Sequence, residues 1–175
     1  ISQRKMAESF SNSFTRAAGI VTTSTNGSIG ANATTITGIS TVGVAVSALV
    51  DNGNFIAGTK VTVIGSDQVT VDRSSTNTSS TTSQTVRFLG PTTAYTSTGG
   101  VKAILIGGTF ANNTNNQVTL TVETYDNSAG VTVAIASKIP VPAGSSFVIS
   151  DTGKTLLEGN DELRIYADTN NAIDA

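Results

Sequence analysis

The groups able to do chemistry in this 175-residue chain are carboxylates, lysines and hydroxyls, and their spacing limits what they can do. Asp126, Asp151, Asp161, Glu162 and Asp168 lie in or beside turn-rich stretches, and Ca²⁺ takes oxygen ligands of this kind. No D-x-[DN]-x-[DN]-G loop occurs, however, and Asp or Asn in a turn ordinarily accepts hydrogen bonds from its own backbone. No metal site is expected. Asp161 and Glu162 are adjacent, so on a strand they point to opposite faces and cannot flank one glycosidic bond. Serines are plentiful, but the chain has no His to activate them and no G-x-S-x-G elbow. A Ser–Lys pair built on Lys138 or Lys154 stays open, although most lysines are surface groups. Gly99-Gly100 and Gly107-Gly108 lack the Lys-Ser/Thr of a phosphate loop and read as a turn and a bulge or close backbone approach. The expectation is a protein that is not an enzyme and uses no cofactor.

Composition points the same way. Charged residues make up 13% of the chain and the net charge is -2, so its polar surface must be mostly Thr, Ser and Asn. Such neutral polar surfaces suit secreted filaments, adhesins and virion shells better than cytosolic enzymes. Cysteine is absent, which excludes disulfides and thiolate metal sites. Trp is absent and only Tyr95, Tyr125 and Tyr166 are tyrosines, which disfavours glycan sites built on stacked rings. Ten basic residues are scattered among twelve acidic ones, with Arg4-Lys5 the local basic pair, so no nucleic-acid surface is expected. No apolar run approaches the ~20 residues of a membrane span, and Ile1–Arg16 has no apolar signal region. The chain begins at Ile1, which suggests a processed or partial product or a true start at Met6. The sequons at Asn26, Asn32, Asn77 and Asn112 are expected by chance in a chain this rich in Asn, Ser and Thr.

The elements that must position these groups are strands. Lys60–Ile64 and Val69–Asp72 alternate apolar with polar residues around Gly65-Ser66-Asp67, which predicts a β-hairpin. Val118–Val122 and Val131–Ile135 form a second pair around Asp126–Gly130. Weaker strands are predicted at Gly19–Thr23, Thr34–Ile39, Val42–Leu49, Thr85–Leu89, Val101–Phe110, Ser146–Ile149 and Glu162–Ala167. No long stretch keeps a helical period, and a single helical turn near Arg4–Phe14 is the best helix candidate. The fold class is all-β.

Three segments are expected: an extended arm at 1–18, a small β-module at 19–90 and a β-sandwich or jelly-roll-like module at 91–175. Gly90-Pro91 marks the module boundary, while 74–84 reads as a polar loop or hairpin tip. The arm has apolar residues only at intervals, so Phe10, Phe14, Ile20 and Val21 are the expected assembly contacts, with folding back onto the domain as the alternative for both phenylalanines. Asn171–Ala175 reads as the opening of a strand, which predicts a free sheet edge for another subunit to complete.

Val118–Gly130, the Lys138–Phe147 run with its Pro140-Val-Pro142-Ala-Gly144 corner, and Leu156–Ile165 with Leu157, Glu158 and Asp161 resemble a β-sandwich module of tailed-bacteriophage virion proteins, those of marine cyanophages most. Ile36–Ile39, Val50–Ile64 and Val69–Val71 resemble a short β-module of phage tail and capsid-associated proteins. In that family the module continues with one more apolar strand past the position of Ala175. The resemblance implies a virion structural protein (capsid decoration, neck or tail component) located in the virion. Its implied partners are further copies of itself and other virion proteins. The alternative is a subunit of an extracellular filament or cell-surface fibre assembled by strand or arm exchange. A glycan-binding surface module is a third reading.

Overall fold

Alternation of β-branched with small polar residues makes the strands, and turn residues set their ends. The computed structural model describes residues 9–150 and 154–175, and among them there is no helix, so the chain is all-β. The helical turn expected near Arg4–Phe14 lies partly outside the described residues, and Ser9–Phe14 are not helical.

The first expected hairpin forms as β4 (Val61–Ile64) and β5 (Gln68–Val71), with the Gly65 N–H donating to the Gln68 carbonyl at 2.8 Å. It joins β1 (Ile20–Ile29), β2 (Thr35–Thr37), β3 (Leu49–Asp51) and β6 (Thr81–Gly90) in a six-stranded sheet of order β3-β6-β1-β2-β5-β4. The two end strands meet. Leu49 bridges Lys60, the Val50 N–H donates to the Thr59 carbonyl at 2.8 Å, and the Val61 N–H donates to the Ala48 carbonyl at 2.9 Å. The sheet thereby closes into a ring and hides its edges. Ile29, Ile36, Val61, Val69, Val86 and Phe88 fill the inside.

Two expectations fail within this unit. Val42–Leu49 is strand only at Leu49, because Gly43 and Ser47 take left-handed φ values of 80° and 69° that an extended strand does not admit. The run 74–84 is not a free loop, because β6 already begins at Thr81. Ser75 is also buried, its hydroxyl donating to the Gly30 carbonyl and accepting from the Ala33 N–H, each at 3.0 Å.

The remaining strands form two layers. β7 (Thr92–Thr96), β10 (Val118–Asp126), β11 (Val131–Val141) and β14 (Glu162–Ala167) order as β11-β10-β14-β7. Opposite them, β9 (Gly108–Asn112), β12 (Ser146–Ile149) and β15 (Ile173–Asp174) order as β12-β9-β15, while β8 (Ala103–Leu105) pairs with β13 (Thr155–Leu157). Val118, Leu120, Val122, Leu163 and Ile165 of the first layer share one core with Phe110 and Ile173 of the second. The predicted single strand Val101–Phe110 is broken at Ile106-Gly107, because its first half pairs with β13 and its second with β12 and β15, and Gly107 passes so close to the Ile149 carbonyl oxygen that a Cβ there would sit 2.9 Å from it. The Pro142–Ser145 turn and the Glu158–Asp161 corner carry the chain between β11 and β12 and between β13 and β14.

The chain ends are tied together. Thr15 and Ala175 exchange backbone hydrogen bonds at 2.7 and 2.8 Å, and Ala18 and Ile173 exchange them at 2.7 and 3.0 Å. The strand edge expected to stand open beside Ile173 is therefore occupied by residues of the same chain. Residues 1–18 are not wholly a free arm either, since Thr15–Ala18 belong by hydrogen bonding to the layered unit. The ring is an excursion from that unit, and its exit strands leave side by side where Ile20 pairs with Gly90.

Gly19 sits at this exit with φ +122°, and a Cβ there would run into the Thr169 carbonyl oxygen. Gly19→Ala is expected to lower unfolding free energy by about 1–3 kcal/mol in urea titration. Gly53→Ala, where a Cβ meets nothing within 4 Å, is expected to change it by less than about 0.5 kcal/mol.

Candidate functional site

Strand alternation decides what faces the ring. In β10, Val118, Leu120 and Val122 point into the layered core, so Thr121 and Glu123 point to the other face. In β14, Ile165 and Ala167 point inward and Tyr166 outward. That outer face lies against the ring. Tyr166 is fully buried there with Leu49 and Leu89 of the ring, Val21 packs on this cluster, and the tyrosine hydroxyl donates to the Ser47 carbonyl at 3.2 Å.

Charged groups line the same seam. Lys60 Nζ lies 2.5 Å from Glu123 Oε2, with the two side chains 14% and 4% exposed, and donates to the Thr132 hydroxyl at 2.6 Å. Its ammonium also lies 6.0 Å from the centroid of the Tyr166 ring. Arg87 donates to Asp51 at 3.1 Å and to the Asp168 carbonyl, and Lys138 Nζ lies 3.8 Å from the other Asp51 oxygen. Burial first, and the Glu123 charge second, push the Tyr166 hydroxyl above its ordinary pKa of 10.0.

Two clefts open along the seam. One, of about 130 Å³, is lined by Asp51, Leu89, Thr119, Lys138 and Asp168 among others. The second, of about 380 Å³, runs past Gly58, Lys60, Asp72, Arg73, Glu123 and Thr132. Charges of opposite sign face each other across both, so the arrangement clamps the two units together.

The carboxylates singled out in the sequence are engaged with backbone or neighbouring cations. Asp161 is buried and accepts from the Asn127 N–H at 3.0 Å and the Glu158 N–H at 2.8 Å, fastening two turns. Glu162 accepts from Arg164 at 2.8 Å, and the Arg164 guanidinium stacks 3.9 Å from the Tyr125 ring centroid. Asp126 accepts from the Ala129 N–H and the Ser128 hydroxyl, which hold its carboxyl below the usual range. Asp168 accepts from the Thr119 N–H at 2.9 Å. Asp151 lies outside the described residues. Among the described residues, no three carboxylates converge in a way that could hold a metal ion.

The four predicted assembly residues divide. Phe10 and Phe14 stand 85% and 84% exposed, on a segment whose base is anchored at Thr15–Ala18. They do not fold back onto their own unit. Ile20 is 48% exposed, while Val21 packs into the seam, its N–H donating to the Asn170 side-chain oxygen at 2.6 Å. Lys60, Glu123 and Tyr166 went unrecognised in the sequence. The available signal was Glu123 continuing the Val118–Val122 alternation, which announces a covered second face only when the cover is known.

Removing one partner of a buried ion pair strands the other charge. Glu123→Ala is expected to cost about 3–5 kcal/mol of stability, while Lys60→Met with Glu123→Leu is expected to be close to neutral, both read by denaturant unfolding. The raised Tyr166 pKa contributes stability that is fully present below pH 10.0 and is lost progressively as pH rises past it, because the unfolded chain ionises first. Tyr166→Phe is expected to remove that alkaline loss in melting curves taken between about pH 8 and 11.

No protein-family model matches the chain, and no curated protein or solved structure does so.

Proposed function

We propose that this chain is a non-enzymatic structural subunit of a tailed-phage virion, a capsid decoration, neck or tail component that works through its interfaces. The observation carrying the reading is the anchored arm with Phe10 and Phe14 held 85% and 84% exposed. Aromatic side chains bury large areas and dominate interface energetics, so a segment that displays two of them is built to meet a partner. The phage-like segments lend support through their positions. Pro140-Val-Pro142-Ala-Gly144 and Leu157–Asp161 sit where the chain turns from one layer to the other, and such corners preserve a two-layered fold. The Thr-, Ser- and Asn-rich surface, with 13% charged residues, suits a particle exterior.

A second reading, a filament or cell-surface fibre subunit, draws on the pairing of Thr15–Ala18 with Ile173. The same strand pairing made between copies would link subunits by exchange. Helical symmetry in micrographs of native material would favour it over the virion.

The test is a truncation that stops short of the paired segment. Removal of residues 1–14 is expected to leave the thermal midpoint of the isolated chain unchanged and to abolish incorporation into particles. Incorporation at the wild-type level would overturn the assembly role of the arm.

A further inference from the structure

The chain holds two Asn-Gly pairs, Asn26-Gly27 and Asn52-Gly53. Glycine has no Cβ to shield its amide nitrogen or restrict its backbone, so that nitrogen can reach the side-chain carbonyl carbon of the preceding asparagine. The fold treats the two pairs differently.

Asn52 is fastened at both ends of its amide. Its Nδ2 donates to the Thr85 carbonyl and its Oδ1 accepts from the Asn54 N–H, each at 2.9 Å. The Asn52 carbonyl also accepts from the Phe55 N–H at 3.1 Å, which closes the turn around Gly53. Swinging the Asn52 side chain toward the Gly53 nitrogen breaks both side-chain bonds.

Asn26 is exposed, and neither of its side-chain atoms has a hydrogen-bond partner among the described residues. An unbroken strand would still protect it, because extended backbone in a ladder carries the next nitrogen away from the side chain. β1 is not unbroken here. Between the Ser24–Val86 and Gly27–Gln84 pairs, β1 advances three residues while β6 advances two, so the extra residue falls at Thr25 or Asn26. Between Gly27–Gln84 and Ile29–Thr81 the slip runs the other way, and Ser83 of β6 takes a left-handed φ of 53° within it. A bulge bends its strand and leaves one residue outside the ladder. Packing fixes the other half of the pair: a Cβ at Gly27 would lie 3.1 Å from Val86 Cγ2 and 3.2 Å from the Gln84 carbonyl oxygen. The ring therefore favours glycine at the position that makes the preceding asparagine reactive.

We propose that Asn26-Gly27 is a site of spontaneous deamidation, opened by the bulge of β1, while the turn at Asn52-Gly53 protects the second pair. The Gly27 amide nitrogen attacks Asn26 Cγ as it loses its proton. The Cγ–Nδ2 bond breaks, and Nδ2 leaves with that proton as ammonia. Water then opens the cyclic imide at either carbonyl, giving aspartate or isoaspartate. Either product puts a negative charge into the span from Ala17 to Val50, which holds no Asp, Glu, Lys or Arg. Isoaspartate also adds a methylene to the β1 backbone inside a closed sheet. The site lies in the ring, so it stands or falls apart from the interface role proposed above.

The test incubates the folded full chain in mildly alkaline buffer and maps its peptides by mass spectrometry. Amide-to-acid conversion is expected at Asn26, faster as pH rises because the attacking nitrogen must lose its proton. Asn52 is expected to convert at least about tenfold more slowly, since two hydrogen bonds must break first. Anion exchange is expected to resolve an acidic form of the intact chain that Asn26→Gln abolishes, because glutamine must close a larger ring. The same chain in denaturing urea, where neither bulge nor turn persists, is expected to convert at both pairs alike. Conversion in the folded chain as fast at Asn52 as at Asn26 would overturn the inference. So would an Asn26 that converts in urea and stays intact in the folded chain, since the strand would then hold the Gly27 nitrogen out of reach.

Discussion

Lys60 is the residue on which the architecture converges. Its backbone bridges Leu49, where the six-stranded sheet closes on itself, and its ammonium enters the seam to meet Glu123. A carboxylate that is 4% exposed on a sheet face cannot stay there without a countercharge. An ion pair of this kind contributes little net stability compared with an apolar pair, but any other placement of the ring leaves a charge buried alone, at several kcal/mol. The interaction therefore selects one orientation between the units, while Tyr166 with Leu49 and Leu89 supplies apolar contact in the same seam. Asp51, bonded to Arg87 and facing Lys138, repeats the arrangement at its rim.

The second constraint is the pairing of the chain's early and late segments. Thr15–Ala18 cover the edge of β15, so the layered unit is built from segments on both sides of the ring. An exposed strand edge invites foreign strands, and covering it in cis removes that hazard. What stands exposed includes an arm tip with two phenylalanines and the aliphatic side chains of Ile104, Val148 and Leu156. The ring and the β15 edge are closed in this way, while β7, β11 and β12 remain outermost in their sheets. That bears on the proposed structural role without depending on any one particle.

The two hairpins at 61–71 and 118–141 were legible because period-two alternation and turn residues are local signals. The Glu158–Asp161 corner stood out as a motif, and the structure gives its reason, since Asp161 uses both oxygens to tie down Asn127 and Glu158. Val42–Leu49 misled because its apolar content resembles a strand, whereas the φ values at Gly43 and Ser47 depend on how the ring closes around it. Thr92–Thr96 carries too few apolar residues to announce itself, and becomes a strand because β14 offers it a ladder. Phe10 and Phe14 stand exposed, while Val21, grouped with them in the sequence, belongs to the seam.

By itself the sequence determined the all-β class, the two strongest hairpins and the lack of His and Cys chemistry. These follow from residue type and short-range period, which act over a few positions. Only the tertiary structure decided that the six strands close on themselves, that Glu123 and Tyr166 look outward to a ring and not to water, and that Thr15 and Ala175 are neighbours. Each of these depends on backbone hydrogen bonds or burial between residues of different elements, from the Leu49–Lys60 bridge to the pairing of Thr15 with Ala175. Strand alternation tells which side a residue takes and leaves open what will cover that side.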